Sequence, residues 1–494
     1  MTMKLIKCFL FSVAMLMMVT SCSNVENQIE EQIPADAVVV VKADVAQLIQ
    51  HSGVQVNGDK LTLPPKLKEL MAQDASEVEA MEKEFAKLKN SGIDFNSCSY
   101  AFVTDKVIGD SGDDVSFVAL IPIDDHNKLI NFLKNECDAS ITEKDGMKIG
   151  KNADGFVFVI KDDVMCLTMS NLDNAADRVI AMTSPSSNMT AKDEIVKALG
   201  TDDDVNVFVD SKRINKLVSK NIDQYYSGEG LMFIKSMLDI SDAQSAAYHL
   251  SLADNEWNIR CENNYDKNSD MAKLLDKVSA KPDASLFSMM PNADNAVIFS
   301  FCINGENIAQ MDMVKPFIAQ AQEDPDFARL IDLFKSINGP IVAGVATDDL
   351  SSGKFNGMLA VNCGKANQLP DLIGILPFAD VVSRDGNEFV VPQESPSDPK
   401  VTLGFKDNLL YAKASTSDNS ATMGNADVKS LFADSRVAFY CTSKIDNMQM
   451  QITAGSKDLK NSNAKFWVTE NGKKLSPLDA LVFFAKLQEN GVNF

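Results

Sequence analysis

A valine-rich stretch that occurs twice along the chain decides the fold class. Ala35-Asp36-Ala37-Val38-Val39-Val40-Val41 returns as Ala293-Asp294-Asn295-Ala296-Val297-Ile298-Phe299. Unbroken runs rich in β-branched and aromatic residues, each opened by an Ala-Asp pair, are typical of strands. Because four or more consecutive residues are apolar, we expect these strands to be buried on both faces or to pack tightly beneath a helix.

The elements that follow this stretch also occur twice in the same order. Apolar residues at three- and four-residue steps predict a helix over residues 65–90 and another over 313–336. In each half there follow a short strand, a strand that runs into a helix, and a hairpin. The hairpin turns are Asp162-Asp163 and Asp407-Asn408, pairs that tolerate positive φ. Trp257 and Trp467 then occupy matching positions. The shared order predicts an internal duplication.

Hairpins mixed with strand–helix units predict an α+β fold rather than a regular βαβ winding. The 494 residues are too many for one ordinary core. We therefore expect two similar tandem domains, residues 33–285 and 286–494, each a mostly antiparallel or mixed sheet with packed helices.

The amino terminus has the pattern of an export signal. Lys4 and Lys7 precede an apolar run of about twelve residues, which is too short for a stable membrane span. Val19-Thr20-Ser21-Cys22 follows directly and resembles a bacterial lipobox, in which the cysteine receives a diacylglyceryl group. We expect residues 1–21 to be a signal peptide, Cys22 to be lipidated, and the polar residues 22–32 to form a flexible tether.

These features together resemble a known family. The lipobox, then Ile33-Pro34-Ala35-Asp36-Ala37 before a valine strand, then a duplicated body, is similar to uncharacterised Bacteroidota lipoproteins known only as a domain of unknown function. The resemblance covers the whole mature chain. It implies an outer-membrane or periplasmic lipoprotein and carries no assigned activity or site residues.

The charge limits the choice of partners. A formal net charge of −22, with no basic stripe to offset it, argues against nucleic acid because phosphate backbones are repelled. Contact with the membrane is expected through the lipid on Cys22, and another envelope protein is a candidate partner. Only Glu26 lies close to Cys22, whereas surface export is associated with several acids there. We therefore expect the outer membrane, facing the periplasm, with surface exposure as the alternative.

Metal and cofactor sites are not predicted. The three histidines, His51, His126 and His249, form no H-x-x-x-H motif. In Asp124-Asp125-His126 we expect Asp124 to cap a helix. The remaining acidic groups are explained by loops: Asp266, Asn268 and Asp270 begin a failed calcium loop that has Met271 and Lys277 at its deciding positions, and Asp202-Asp203-Asp204 and Asp348-Asp349 are expected to be solvated strand ends.

No nucleophile is predicted either. Ser351-Ser352-Gly353-Lys354 and Ser462-Asn463-Ala464-Lys465 match S-x-x-K, but both are expected in polar loops. Seven cysteines follow Cys22 without a C-x-x-C pair, and most are expected to be buried thiols, although one or two disulfides are permitted. The leading hypothesis is a non-enzymatic binding or structural module. The alternatives are a periplasmic enzyme that uses carboxylates, and a small-ligand receptor with a cleft between the halves.

Overall fold

The structure is a computed structural model of the 494-residue chain. It describes residues 24–57, 60–71, 75–104, 117–170, 172–216, 243–266, 270–311, 314–349, 352–374, 379–395, 397–416, 426–458 and 460–489. The described residues form two compact units. The first contains those up to Asp266 together with those from Lys474 onward, and the second contains those between Lys267 and Lys473.

The fold is α+β, with 15 helices and 23 strands in the described residues. The helices are α1 (Asn24–Gln32), α2 (Val45–Ser52), α3 (Pro65–Met71), α4 (Ala75–Lys89), α5 (His126–Asn135), α6 (Ala175–Met182), α7 (Asp193–Leu199), α8 (Asp270–Val278), α9 (Gly305–Ala309), α10 (Lys315–Ala321), α11 (Pro325–Lys335), α12 (Leu369–Ile373), α13 (Ala426–Asp434), α14 (Pro477–Ala480) and α15 (Val482–Glu489).

The strands are β1 (Ala37–Ala43), β2 (Gln55–Asn57), β3 (Lys60–Thr62), β4 (Ser99–Thr104), β5 (Val118–Pro122), β6 (Ser140–Lys144), β7 (Met147–Lys151), β8 (Phe156–Lys161), β9 (Val164–Met169), β10 (Val205–Val209), β11 (Ala243–Ser251), β12 (Trp257–Tyr265), β13 (Asn295–Asn304), β14 (Ile337–Thr347), β15 (Asn356–Cys363), β16 (Ser383–Asp385), β17 (Glu388–Val391), β18 (Lys400–Lys406), β19 (Leu409–Ser415), β20 (Val437–Ile445), β21 (Met448–Ser456), β22 (Asn461–Glu470) and β23 (Lys473–Lys474).

Each unit contains ten strands in one antiparallel order. In the first unit the order is β6-β7-β8-β9-β5-β4-β1-β10-β11-β12. In the second unit it is β16-β17-β18-β19-β15-β14-β13-β20-β21-β22. Each strand of the second order occupies the same position as its counterpart in the first order. The two valine-rich stretches therefore form the seventh strand of each order, β1 and β13.

One face of each sheet is buried beneath helices. In the first unit this face carries Val40, and it packs against Ile29 of α1, Val179 of α6 and Ile195 of α7. In the second unit it carries Ile298, which lies in one cluster with Phe432 of α13. We call these the Val40 face and the Ile298 face. The opposite sides are the Val41 face and the Phe299 face.

The apolar runs predict strands that are buried on both faces or packed beneath a helix, and the second strand follows only the second alternative. Ile298 is fully buried, but its neighbours Val297 and Phe299 are 46% and 40% exposed. The side chains of a strand alternate between its two faces, so every second residue of a continuous apolar run packs into the core. Burial of the remaining residues depends on which elements cover the opposite face. The sequence run does not reveal that cover.

The two expected long helices are each divided. The first becomes α3 and α4, and the second becomes α10 and α11. In the second pair Pro325 opens α11, and the Asp324 side chain accepts a hydrogen bond from the backbone N–H of Asp326. A proline at the first helical position has no N–H to continue the preceding helix, so the break follows from the sequence Asp324-Pro325.

The expected flexible tether over residues 22–32 is also wrong, since residues 24–32 form α1. Ile29 is fully buried in the core of the first unit, and so is Ile33 directly after the helix. Tyr100 donates a hydrogen bond from its hydroxyl to the Glu30 carboxylate at 3.1 Å. The two isoleucines, four residues apart, and this hydrogen bond hold a segment whose other residues are mostly polar.

The boundary between the two units differs from the one expected at residue 285. Residues 474–489 pack in the first unit, and the segment around α8 packs in the second. The Asp479 side chain accepts hydrogen bonds from the backbone N–H groups of Lys66 and Leu67, at 2.9 and 3.0 Å, and so caps α3 of the first unit. The indole N–H of Trp257 donates to the carbonyl of Pro477 at 3.1 Å. The segment around α8 instead packs in the second unit, where Asn307 donates to the Lys277 carbonyl.

Candidate functional site

An apolar cavity of about 650 Å³ lies on the Val41 face of the first unit. Its floor is a single row of paired residues that crosses five strands. The row is Val41 of β1, Ala101 of β4, Ala119 of β5, Leu167 of β9 and Phe158 of β8. Residues directly opposite each other in an antiparallel pair point to the same face. The two alanines at the centre leave the space that larger side chains would fill.

Helices close the cavity on the side away from the sheet. Leu129, Phe132 and Leu133 of α5 line it, together with Leu88 of α4. Leu129 is fully buried. These positions recur at steps of three and four residues, so the helix presents one apolar stripe to the sheet.

Gly92 positions the amino terminus of α5. Its φ is +84°, and its carbonyl accepts hydrogen bonds from Asp124 N–H and Asp125 N–H at 2.9 and 3.0 Å. A Cβ at this position would lie 2.2 Å from the Asp125 carbonyl oxygen, so only glycine fits. The helix cap is Asp125, which accepts from Asn127 N–H and Lys128 N–H. The expectation that Asp124 caps this helix is therefore wrong by one residue, because the helix begins at His126 and Asp125 directly precedes it.

The cavity is long relative to its volume. From β8 to β1 the floor spans four interstrand spacings of about 4.8 Å, or roughly 19 Å. Its β1 end is lined by Ala43, Val45 and Phe95. A narrow apolar space of this length suits an extended hydrocarbon chain better than a compact ring system.

The other end of the cavity is polar and acidic. Glu136, Asp138 and Asp154 line it and are all exposed, and Asn152 lies beside them half-buried. Pairing of Ser140 with Lys151 brings the residues before β6 next to those after β7, so these side chains share one end of the hairpin. Glu136 forms an ion pair with Lys87 at 2.7 Å. None of the described lining residues is Lys, Arg or His.

The Cys137 thiol lines the same end of the cavity. Burial raises its pKa, and the neighbouring carboxylates of Glu136 and Asp138 raise it further. A thiol with a raised pKa stays protonated at neutral pH, where only the thiolate is strongly nucleophilic. Cys137 therefore behaves as a small half-buried apolar side chain.

The equivalent row in the second unit is open. It runs through Phe299, Ala343, Leu359, Ala412 and Leu403. Phe299 and Leu359 are 40% and 42% exposed. The helix between β15 and β16 is α12, which has five residues, whereas α5 between β5 and β6 has ten. The shorter helix has fewer side chains with which to cover this face.

A second cluster in the first unit is polar and buried. Asp204 is fully buried, and one of its carboxylate oxygens lies 2.8 Å from His51 Nδ1 while the other accepts from the backbone N–H of Leu252. Burial raises the pKa of Asp204, and the hydrogen bonds from Leu252 and His51 oppose this shift. The expectation that residues 202–204 form a solvated strand end is thus wrong for Asp204.

His249 stands next to this group on β11. Its Nδ1 lies 2.7 Å from Asn206 Oδ1, and it is only 2% exposed. Burial lowers the pKa of His249. Asp203 is paired with Arg260, so its carboxylate is also engaged. No group of three or more potential ligands within the described ranges could hold a metal ion. These hydrogen bonds tie the start of β10 to α2 and β11.

The other candidate residues remain apart. His126 and Asp163 form an exposed pair at 3.1 Å. Asp348 and Asp349 are exposed, whereas Asn268 lies outside the described residues, as does Ser351. The Ser462–Lys465 tetrapeptide is part of β22 and not of a loop, as had been expected. None of the seven described cysteines forms a disulfide, and four of them are buried: Cys98, Cys166, Cys302 and Cys363.

The sequence that forms this cavity lies within a region that matches a family model. Residues 29–373 match the model of a family described as "Domain of unknown function (DUF4836)". The chain belongs to this family. The resemblance had been expected over the whole mature chain, but the match ends within the second unit. It crosses residue 266, so the family's signature draws on both units.

Other comparisons are distant. No curated protein matches the chain. Two crystal forms of TP0453 are similar in part: form I at 9% identity, over 48% of this chain and 77% of that one, with a TM-score of 0.26, and form III at 9%, over 51% and 88%, with a TM-score of 0.28. Within the described residues no helix has the length and apolar character needed to cross a membrane. Cys22 lies outside them.

Proposed function

We propose that this protein is a lipid-anchored envelope protein whose first unit binds a small molecule with a hydrocarbon chain. The observation that carries the proposal is the cavity on the Val41 face. Its volume of about 650 Å³ falls within the range of about 300–1,000 Å³ that is usual for small-molecule sites. Its walls are apolar, and the polar groups gather at one exposed end.

Hydrophobic transfer supplies enough free energy for such binding. Each buried methylene contributes about 0.8 kcal/mol, so roughly ten of them contribute about 8 kcal/mol before the cost of ordering the chain. A dissociation constant of about 1 μM corresponds to about 8 kcal/mol. Binding in or below the high micromolar range is therefore expected without any strong polar contact.

The role is proposed to be non-enzymatic. Cys137 has a raised pKa, which does not suit a nucleophile. Asp204 and His249 have shifted pKa values but do not line the cavity. The alternative is a periplasmic enzyme that uses the acids at the cavity end. Turnover of carboxylic esters or of glycosides by the purified protein would favour it.

Anchoring is proposed through a lipid on Cys22, at the outer membrane and facing the periplasm. The support is the sequence Val19-Thr20-Ser21-Cys22 directly after a short apolar run. In cells fed radiolabelled palmitate, the wild-type chain should be labelled and the Cys22→Ser chain should not. Persistent labelling of that variant would refute lipidation at Cys22.

The two units are proposed to be copies of one ancestral domain. The shared order of ten antiparallel strands supports this proposal, as does the placement of β1 and β13 at the same position. Binding would then have been kept in the unit whose Val41 face is covered.

The ligand proposal is tested with a neutral apolar dye, N-phenylnaphthylamine, added to the mature chain (22–494) carrying Cys22→Ser. We expect a saturable rise in fluorescence. Ala101→Leu, at the centre of the cavity floor, should weaken binding at least about tenfold by filling the space. Ala343→Leu, at the matching place on the exposed row of the second unit, is the control and should leave binding unchanged. Equal effects of both variants, or no saturable signal, would refute the site.

A further inference from the structure

We infer that the cavity selects a single-chain amphiphile whose head group donates hydrogen bonds, as a hydroxyl or an ammonium does, and that it discriminates against anionic heads such as a fatty-acid carboxylate. The inference rests on the proposed function and adds the class of ligand. It is carried by the uneven distribution of polar groups along the cavity.

The acidic end of the cavity has acceptors and an excess of negative charge. Glu136, Asp138 and Asp154 line it, and Glu84 lies within 3.0 Å of the same Lys87 ammonium that pairs with Glu136. These four carboxylates and one ammonium sum to a charge of −3 at neutral pH. A head group placed here meets carboxylate oxygens, which accept hydrogen bonds and repel another anion.

Lys151 does not offset this charge, although it precedes Asn152 in the chain. It is paired with Val157, whose side chain belongs to the core on the Val40 face. Gly150 is paired with Phe158, which lines the cavity. Since neighbouring residues of a strand point to opposite faces, Lys151 lies on the side away from the cavity.

The reverse orientation of the ligand is also unfavourable for an anion. The β1 end of the cavity is lined by Ala43, Val45, Phe95 and the Ser99 side of β4, with no cation among its described residues. A carboxylate placed there would lose its hydration without gaining a partner. A hydrocarbon end loses nothing there, so the chain enters first and the head stays at the acidic end.

The experiment measures displacement of N-phenylnaphthylamine from the mature Cys22→Ser chain at pH 8. Three competitors share one chain length: monopalmitoylglycerol, hexadecylamine and palmitate. We expect the glycerol ester and the amine to displace the dye at concentrations at least about tenfold lower than palmitate does. Each competitor is used below its own aggregation concentration, which is measured in the same buffer.

A charge variant separates selection from simple solubility. Asp138→Asn together with Asp154→Asn should narrow the gap between palmitate and the glycerol ester several-fold. Asp380→Asn, an exposed acid of the second unit, should leave the gap unchanged. Glu136 is left unchanged, because it forms the ion pair with Lys87 at 2.7 Å.

The outcomes distinguish the two proposals. If palmitate competes as well as the neutral ester, or if the double variant leaves the gap intact, head-group selection is wrong while chain binding stands. If no competitor displaces the dye from a chain that binds it, the hydrocarbon-chain proposal and the selection both fall.

Discussion

The Val41 face and the Phe299 face are the same side of two sheets with the same strand order, yet one encloses a cavity and the other is exposed. The central row of the first has Val41, Ala101 and Ala119, and the second has Phe299, Ala343 and Leu359 in its place. Over all five positions the two rows differ in composition only by a valine in the first and a second leucine in the second. In the first row the two alanines are neighbours, whereas in the second row Leu359 lies between them. The enclosed space thus coincides with adjacent small residues beneath the ten-residue helix α5, whereas the helix in the matching connection, α12, has only five residues.

The largest expected effect tests whether the buried faces are equivalent. Val40 and Ile298 are both fully buried at the centre of their sheets. Val40→Asp and Ile298→Asp should each cost several kcal/mol, because an unpaired charge would be placed in a core. Val297→Asp, at a position 46% exposed, is the matched control and should cost less than about 1 kcal/mol.

Each unit has one tryptophan, Trp257 or Trp467, so urea denaturation followed by fluorescence can be assigned with Trp→Phe variants. Similar losses for Val40→Asp and Val297→Asp would show that the two faces of β13 do not differ as described.

The second prediction compares α5, which covers the Val41 face, with α11, a helix of the second unit. Leu129 of α5 is fully buried against the Val41 face, whereas Leu330 of α11 is 44% exposed. Leu129→Ala should lower the free energy of unfolding of the first unit by about 2–5 kcal/mol. Leu330→Ala should lower that of the second unit by less than about 1 kcal/mol. If the order of these two losses is reversed, α5 is not the essential cover of the cavity.

The third prediction tests the cap that Asp479 provides for the amino terminus of α3. Removing the Asp479 carboxylate would leave the backbone N–H groups of Lys66 and Leu67 without their acceptor. Asp479→Ala should cost about 1–2 kcal/mol in the unfolding reported by Trp257. The signal of Trp467 should not shift. A shift in the Trp467 transition instead would show that residues 474–489 belong to the second unit.

The smallest expected effect is a pH dependence confined to the first unit. Burial lowers the pKa of His249 below its ordinary value of about 6.5, so the unfolded chain takes up a proton that the folded chain does not. Stability should therefore fall as pH drops from about 7 to 5, by at most about 1.4 kcal/mol per pH unit.

The second unit lacks the same pair, because Ala438 and Gly455 stand opposite each other where the first unit has Asn206 and His249. His249→Gln should flatten the slope reported by Trp257, and the Trp467 transition serves as the internal control. A slope of equal size in both units would exclude His249 as its source.

Local patterns predicted the strands and turns well, because their causes are local. The hairpins at Asp162-Asp163 and Asp407-Asn408 are confirmed, with Asp162 and Asp407 at positive φ. The helix break at Pro325 was also readable in the sequence, although we expected one continuous helix there. The alternation of β1 was obscured because valine occupies both of its faces.

The cavity could not be predicted, because its floor joins residues from five separate strands. Ala101 and Ala119 are unremarkable in sequence, and their contact depends on the register between β4 and β5. A bulge between Ala37 and Val39 further shifts the pairing of β1 with β4 by one residue. The same long-range origin explains why the Asp204 cluster was taken for a solvated loop: its partners lie on α2 and after β11.

Helix α1 sets how far the protein can reach from its anchor. It begins at Asn24, and Ile29 holds it in the first core. With a lipid on Cys22, as proposed, only Ser23 separates the anchored residue from α1, so two Cα-to-Cα steps join them. At no more than about 3.6 Å per residue that leash is about 7 Å long. The body would then search almost no volume, and a hydrocarbon-chain ligand would have to be exchanged with the bilayer directly beneath it or delivered by a carrier that comes to it.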